Sequence, residues 1–178
     1  MTAATSHRRA TSEILAALET GLRGVTWHGQ PALDRVEQFT EADLVEAFRR
    51  LLISEQRVCL IVAMDEEFNS ETKGNKLIVR RVLPVTLLLS DRVLGNPVTA
   101  LKGDENNPGA QGLLEAVLPA VIGQLLDNPG GVAVEPRVAS HFQVAETAKE
   151  MPGRVCIALE LQCRGGWLEN TLNIPPNY

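Results

Sequence analysis

Two strongly β-prone stretches, residues 57–64 and 76–89, stand either side of a polar segment that holds Gly74, and they exclude an all-helical fold. The first stretch, Arg57-Val58-Cys59-Leu60-Ile61-Val62-Ala63-Met64, is aliphatic throughout, which predicts a strand buried on both faces. The second contains Pro84, which cannot donate a ladder hydrogen bond and so predicts an edge position, a bulge or a bend there. Residues 65–75 read as an acidic turn between the two strands. Arg80 and Arg81 are adjacent and must face opposite sides of a regular strand, so one is expected in water or buried against a carboxylate.

Helical signals flank this unit. Thr11 or Ser12 can cap a first helix in which Ile14, Leu15, Leu18 and Leu22 recur at helical spacing before Gly24. Thr40 and Asp43, with Phe39 ahead of them, form a variant capping box for a second helix over residues 40–54. The apolar stripe Leu113, Leu114, Val117, Leu118, Val121, Ile122, Leu125 and Leu126 predicts a buried third helix. Pro119 lies inside that stripe and predicts either a kink or a start close enough to place it in the first turn. Residues 25–39 read as a loop with one short extended or helical piece, and residues 90–111, rich in Gly and Pro, as a long loop.

Short strands are expected at 132–134 and 138–144, a turn at 145–153, and a full strand at 154–163, where Val155, Ile157, Leu159 and Leu161 alternate with smaller or more polar residues. The fold class expected is α+β: a mainly antiparallel sheet with helices packed on one face, extended arms and a long loop. At 178 residues the chain is long enough for one sizeable core. Its organisation reads as an arm over residues 1–11, a single domain over 12–168 and an extended tail over 169–178, which contains Pro175-Pro176.

The formal net charge of -5 disfavours capture of nucleic acid or of anionic membranes. The short basic cluster His7-Arg8-Arg9 lacks the apolar stretch of an export signal, and the apolar runs are too short to span a bilayer as helices. Cys59, Cys156 and Cys163 show no metal-binding or redox spacing and read as reduced core thiols; Cys163, beside Arg164, is the one whose thiolate is most favoured.

No motif for nucleophilic, metal-assisted or phosphate-cradling chemistry surrounds His7, His28 or His141, so neither catalytic residues nor a cofactor or metal site is expected and the chain reads as a non-enzyme. Asp65-Glu66-Glu67 and Asp104-Glu105-Asn106-Asn107 offer oxygen ligands but lack calcium-loop spacing, and solvated turns explain them more simply. Trp27 and Trp167 read as packing residues. The candidate residues that remain are interaction residues: Asp65, Glu66, Glu67, Arg80, Arg81, Asp104, Glu105 and Asn106.

The order of elements resembles a bacteriophage tail terminator of the Mu-like type. The residues that carry the resemblance are Ile14, Leu18 and Leu22, Asp43-Leu44, the strand 58–64, Leu87-Leu88-Leu89-Ser90-Asp91-Arg92, Gly109-Ala110-Gln111-Gly112-Leu113-Leu114 and the strand 155–161. The long 25–39 connection and the 170–178 tail depart from that pattern.

The resemblance implies a virion protein, assembled in the host cytoplasm, that forms a homo-oligomeric ring, commonly a hexamer, on the tail tube protein at the tail–neck junction. It would stop tube polymerisation and offer a docking surface to the head–tail connector or neck protein, with DNA only as passing cargo and no membrane partner. Asp65, Glu66 and Glu67 would then line or approach the lumen, where negative charge repels DNA, and residues 90–111 would contact a neighbour or a tube subunit. A neck or head-completion protein, or the cap of a contractile injection system, is the nearest alternative. A small cytoplasmic enzyme is the alternative of another class, and a polar pocket that holds His28 or His141 beside an acid would favour it.

Overall fold

The computed structural model of the chain describes residues 5–6, 11–39, 56–122, 135–144 and 153–171. Their fold is α+β, with a sheet that is antiparallel except for one pair of strands. The elements are β1 (Thr5–Ser6), α1 (Thr11–Arg23), β2 (Thr26–Trp27), β3 (Gln30–Pro31), β4 (Arg35–Phe39), β5 (Arg57–Ala63), β6 (Glu67–Lys73) and β7 (Lys76–Arg92). There follow α2 (Pro97–Lys102), α3 (Gly109–Val121), β8 (Glu135–Gln143) and β9 (Arg154–Thr171).

Strands β7 and β9 are the long members, of 17 and 18 residues, and pair antiparallel from Lys76↔Thr171 to Arg92↔Arg154. Each has two shorter partners, one after the other, on its remaining edge. Along β7 these are β5, opposite Val85 to Asp91, and β6, opposite Lys76 to Val82; along β9 they are β8 and β1. Strand β4 extends the sheet beyond β5 as its parallel pair.

Leu83, Val85, Leu87 and Leu89 of β7 and Leu159 and Leu161 of β9 point from one face into the main core and are essentially inaccessible. Ile14, Leu18 and Leu22 of α1 and Leu113, Val117 and Val121 of α3 cover them. The expected helical spacings thus mark the buried faces of both helices up to Val121; Ile122 is exposed beyond the helix end, and Leu125 and Leu126 lie outside the described residues. Full burial of each such side chain contributes about 1.5–3 kcal/mol. On the opposite face Phe39, Val58 and Leu60 form a smaller cluster with Leu88, so β5 is buried on both sides as its uninterrupted apolar run predicts.

Pro84 lies where the edge partner changes from β5 to β6. Both polar backbone groups of an antiparallel residue point to the same neighbour. The Pro84 carbonyl accepts from Met64 N–H at 3.0 Å on that side, so its missing donor faces the crossover and costs the β9 ladder nothing. The β7–β9 register slips not at Pro84, the position expected for a bulge, but three residues earlier, between Arg80 and Val82.

Arg81 points inward, in alternation with Leu83 and Val85. Its guanidinium, 3% exposed, donates to Glu66 in the β5–β6 crossover and to the hydroxyl of Thr11 at the start of α1, while the Thr11 hydroxyl donates to Glu66. Arg80 stays in solvent and pairs with Glu71 at 2.7 Å. The adjacent arginines therefore divide as expected, one outside and one buried against a carboxylate.

Four expectations are corrected. Residues 65–75 are not a turn throughout: 67–73 form β6, and the reversal is confined to Gly74 and Asn75, with Gly74 at φ +62°. This is the glycine-first turn of a two-residue hairpin, and β6 lacks an apolar alternation because all seven of its residues are exposed. Residues 90–111 are not one loop, since β7 runs to Arg92, α3 begins at Gly109 and α2 lies between them; Asn96 caps α2 by accepting from Val98 N–H, and Pro97 opens it. Residues 25–39 hold a small hairpin and β4. Pro119 occupies the last turn of α3, which ends at Val121 with Ile122 extended, because proline supplies no helical donor and crowds the preceding turn.

The strand expected at 138–144 is β8, which starts earlier, at Glu135, and β9 runs on to Thr171. The helix expected over 40–54 and the strand at 132–134 lie outside the described residues.

Replacing Glu66 by Ala removes a carboxylate partner from the buried Arg81 charge, and breaking a buried ion pair costs about 3 kcal/mol. Urea unfolding is expected to show that loss, whereas Glu67→Ala, at an exposed position one residue on, changes stability by less than about 0.5 kcal/mol.

Candidate functional site

A cleft of about 440 Å³ opens at the end of the sheet where β5 begins, between the β2–β3 hairpin and the loop from α2 to α3. Trp27 and Gln30 pair across the hairpin, leaving His28 and Gly29 as a two-residue turn with φ of +50° and +77°. Positive φ at both positions defines the type I′ turn, whose twist matches the flanking strands. A side chain at the first of them is strained by about 1–2 kcal/mol. Here the strained residue is a histidine whose ring stacks on Trp27, with centroids 4.0 Å apart and planes 11° apart.

The floor beside this stack is the Asp34–Arg57 pair. Asp34 Oδ1 accepts from the Arg57 guanidinium at 2.9 Å and Oδ2 from the Arg57 backbone N–H at 2.8 Å, while Asp34 N–H donates to the Arg57 carbonyl at 2.9 Å. This clasp ties the segment before β4 to the start of β5.

Glu105 and Asn106 line the far wall. Asp104 shapes that wall without entering it: Oδ1 accepts from Asn106 N–H at 2.8 Å and Asn107 N–H at 2.9 Å, and its own N–H donates to the Asn107 carbonyl at 2.7 Å. Such a turn uses the aspartate to replace a backbone acceptor. It is closed by Gly103 and Gly109 at φ of +82° and +64°, with backbones so near that a Cβ on Gly109 would sit 2.3 Å from Gly103 N.

Behind the loop, Asp91 is completely buried. Its Oδ2 accepts from Asn107 Nδ2 at 2.7 Å, while its Oδ1 and the Asn107 Oδ1 have no partner. Burial pushes the Asp91 carboxyl up, against the opposing pull of Asn107, the Arg92 backbone N–H, Arg57 and Arg154. A proton on the carboxyl, donated to the Asn107 amide oxygen, removes both deficits at once. Arg154 is also buried and donates to the Gln56 carbonyl at 3.0 Å and to Ser90 Oγ at 3.3 Å; burial lowers its pKa.

The eight residues singled out by sequence fall in three places. Glu66 and Arg81 meet as a pair at the start of α1, Arg81 buried and Glu66 partly so. Asp65 and Glu67 are exposed near that crossover, and Arg80 on the same hairpin. Asp104 closes its own turn, while Glu105 and Asn106 face the cleft.

Trp27, His28, Asp34 and Arg57 were not singled out together. The His28-Gly29 dipeptide between Trp27 and Gln30 is the local signal for the hairpin, but Asp34 and Arg57 are 23 residues apart and nothing local joins them. Cys163 is buried, in keeping with its reading as a core thiol; burial pushes its thiol up to about 12, and the guanidinium that opposes this is that of Arg81, not Arg164.

No three or more His, Cys, Asp or Glu side chains group as a possible metal site among the described residues, and no helix among them is long and apolar enough to cross a membrane. No protein-family model and no curated protein matches the chain.

Asp91 carries a pH prediction. Because its pKa is raised on folding, the folded chain binds more protons than the unfolded chain as pH rises from the ordinary value of 3.8, and stability falls across that window. Asp91→Asn keeps an acceptor for Asn107 and supplies a permanent donor. The variant is expected to be more stable by about 1 kcal/mol at neutral pH. That advantage shrinks below the ordinary carboxylate pKa, as thermal melts at a series of pH values would show.

Proposed function

We propose that this chain is a structural ring-forming protein of the phage tail-terminator kind, which caps the last ring of a tail tube, stops its growth and presents a head-docking surface. The observation that carries the reading is the β6–β7 hairpin. It runs on past the part of the sheet that the helices cover, and all seven residues of β6 are exposed, Phe68 among them at 58%. A strand that a single chain leaves bare, with a large apolar side chain on it, is suited to contact between subunits. The order of α1, the paired strands β5 to β7, the linking segment, α3 and β9 also agrees with the pattern on which the resemblance rests. In this reading Asp65 and Glu67 are the acids left to face passing DNA.

A neck or head-completion protein, or an injection-system cap, fits the same features and differs in its position on the particle. The enzyme reading has one observation in its favour: His28 shares its cleft with Asp34 and Glu105. His28 makes no hydrogen bond to either acid among the described residues, and Asp34 is engaged with Arg57.

Adding purified protein to polymerising tail tube subunits separates these readings. Electron micrographs are expected to show rings at tube ends and shortened tubes, with His28→Ala as effective as the parent chain. Tubes of unchanged length without end rings would remove the terminator reading. Capping that disappears with His28→Ala would make the cleft part of the docking surface.

A further inference from the structure

The described edge strands differ in how they are protected. Strand β8 carries Pro136 and a register slip between Val138 and Ser140, β1 has two residues, and β4 has five and pairs in parallel. Prolines, bulges and shortness are the devices that stop an edge from recruiting another chain. Strand β6 has none of them. Its seven residues pair with β7 in unbroken register from Glu67↔Val82 to Lys73↔Lys76.

The two-residue turn fixes which backbone groups of β6 are free. Lys73 and Lys76 flank the turn and form a hydrogen-bonded pair, so Lys73, Glu71, Asn69 and Glu67 direct their N–H and C=O groups toward β7. Phe68, Ser70 and Thr72 direct theirs outward, and among the described strands β6 has no partner but β7.

We propose that β6 is a self-recognition edge, which pairs antiparallel with β6 of a second copy of this chain about a two-fold axis through Ser70. This register sets every outward-facing residue against another: Ser70 meets Ser70, and Phe68 meets Thr72, giving about six new backbone hydrogen bonds. On the other face of the sheet Asn69 meets Glu71, and Glu67 meets Lys73. Glu67 and Lys73 have no ion-pair partner among the described residues, and the two-fold axis places each opposite the other, twice per dimer. The pair forms where side chains approach most closely, between residues that do not share hydrogen bonds. Shifting the register by one residue would set outward-facing groups against inward-facing ones, and a shift of two would take Glu67 away from Lys73.

A two-fold contact is isologous and closes on itself, so it joins two chains and cannot by itself propagate around a ring. The inference uses the same exposed strand as the tail-terminator reading but gives it a different contact, and the two are tested separately: tube capping can fail while the strand pairing stands, and the reverse.

Sedimentation velocity of the full chain at low salt tests it. The parent chain is expected to dimerise, and Glu67→Lys or Lys73→Glu alone to weaken the dimer about tenfold or more, since each places like charges opposite one another twice. Glu67→Lys combined with Lys73→Glu restores it. Ser70→Pro removes an outward N–H without touching the β6–β7 ladder and abolishes the dimer while circular dichroism stays unchanged. A parent chain that remains monomeric up to about 1 mM, a double exchange no better than the single ones, or a Ser70→Pro chain that associates normally would each overturn the proposal.

Discussion

The pairing of β7 with β9 is the constraint on which the remaining geometry depends. Two strands of this length cannot be matched by single neighbours of ordinary size, so each takes two in succession, and every junction along them becomes a place where the ladder is interrupted. On β7 the junction falls at Leu83 and Pro84. The proline contributes its carbonyl to Met64 and needs no partner for a donor it does not have. Three residues away, at the register slip, Arg81 points into the same region, where it meets Glu66 and Thr11. One charged triad thus joins the crossover, the central strand and the start of α1, and it sets where the helical layer begins relative to the sheet.

The two ends of the sheet are built by opposite means. At the end where β5 starts, polar groups engage one another, with Asp91, Ser90 and Arg154 buried: Asp34 with Arg57, Asp91 with Asn107, and Arg154 with Ser90 and the Gln56 carbonyl. Such contacts order loops sharply but are costly when incomplete, and Asp91 Oδ1 remains without a donor. At the other end the β6–β7 hairpin is open to solvent, and its exposed charges do not hold it against the core. The first arrangement makes a shaped cleft within one chain; the second leaves a regular strand edge for another chain.

How much of this was legible in the sequence follows from whether the information is local. The stripe Leu113, Leu114, Val117 and Val121 and the alternation Val155, Ile157, Leu159 and Leu161 reveal buried faces because each repeats within its own element. The division of Arg80 from Arg81 was legible for the same reason, since it needs only the strand period. Strand β6 was not: Glu-Phe-Asn-Ser-Glu-Thr-Lys lacks an apolar face because neither side is buried within one chain, and its strand character comes from pairing with β7. The cleft was less legible still. Arg57 finds Asp34, and Asn107 finds Asp91, only after β4, β5, β7 and the α2–α3 loop have been brought to one end of the sheet, and sequence spacing carries no trace of that arrangement.

The same distinction explains why the acidic stretch near residue 66 means something different in the folded chain. In sequence, Asp65, Glu66 and Glu67 are equivalent neighbours, and repulsion of DNA is a reasonable use for all three. In the structure they are separated by the pleat and the crossover: Glu66 neutralises a buried guanidinium, Asp65 remains in the connection, and Glu67 begins an exposed edge strand. Coulomb's law acts on their surroundings, not on their adjacency. Interactions of Asp65 and Glu67 are screened by salt, while the Glu66–Arg81 pair, sheltered from water, is screened far less. A rise in ionic strength therefore acts on the exposed edge and leaves the internal scaffold intact, so any contact made at that edge is tuned by charge without loosening the fold that presents it.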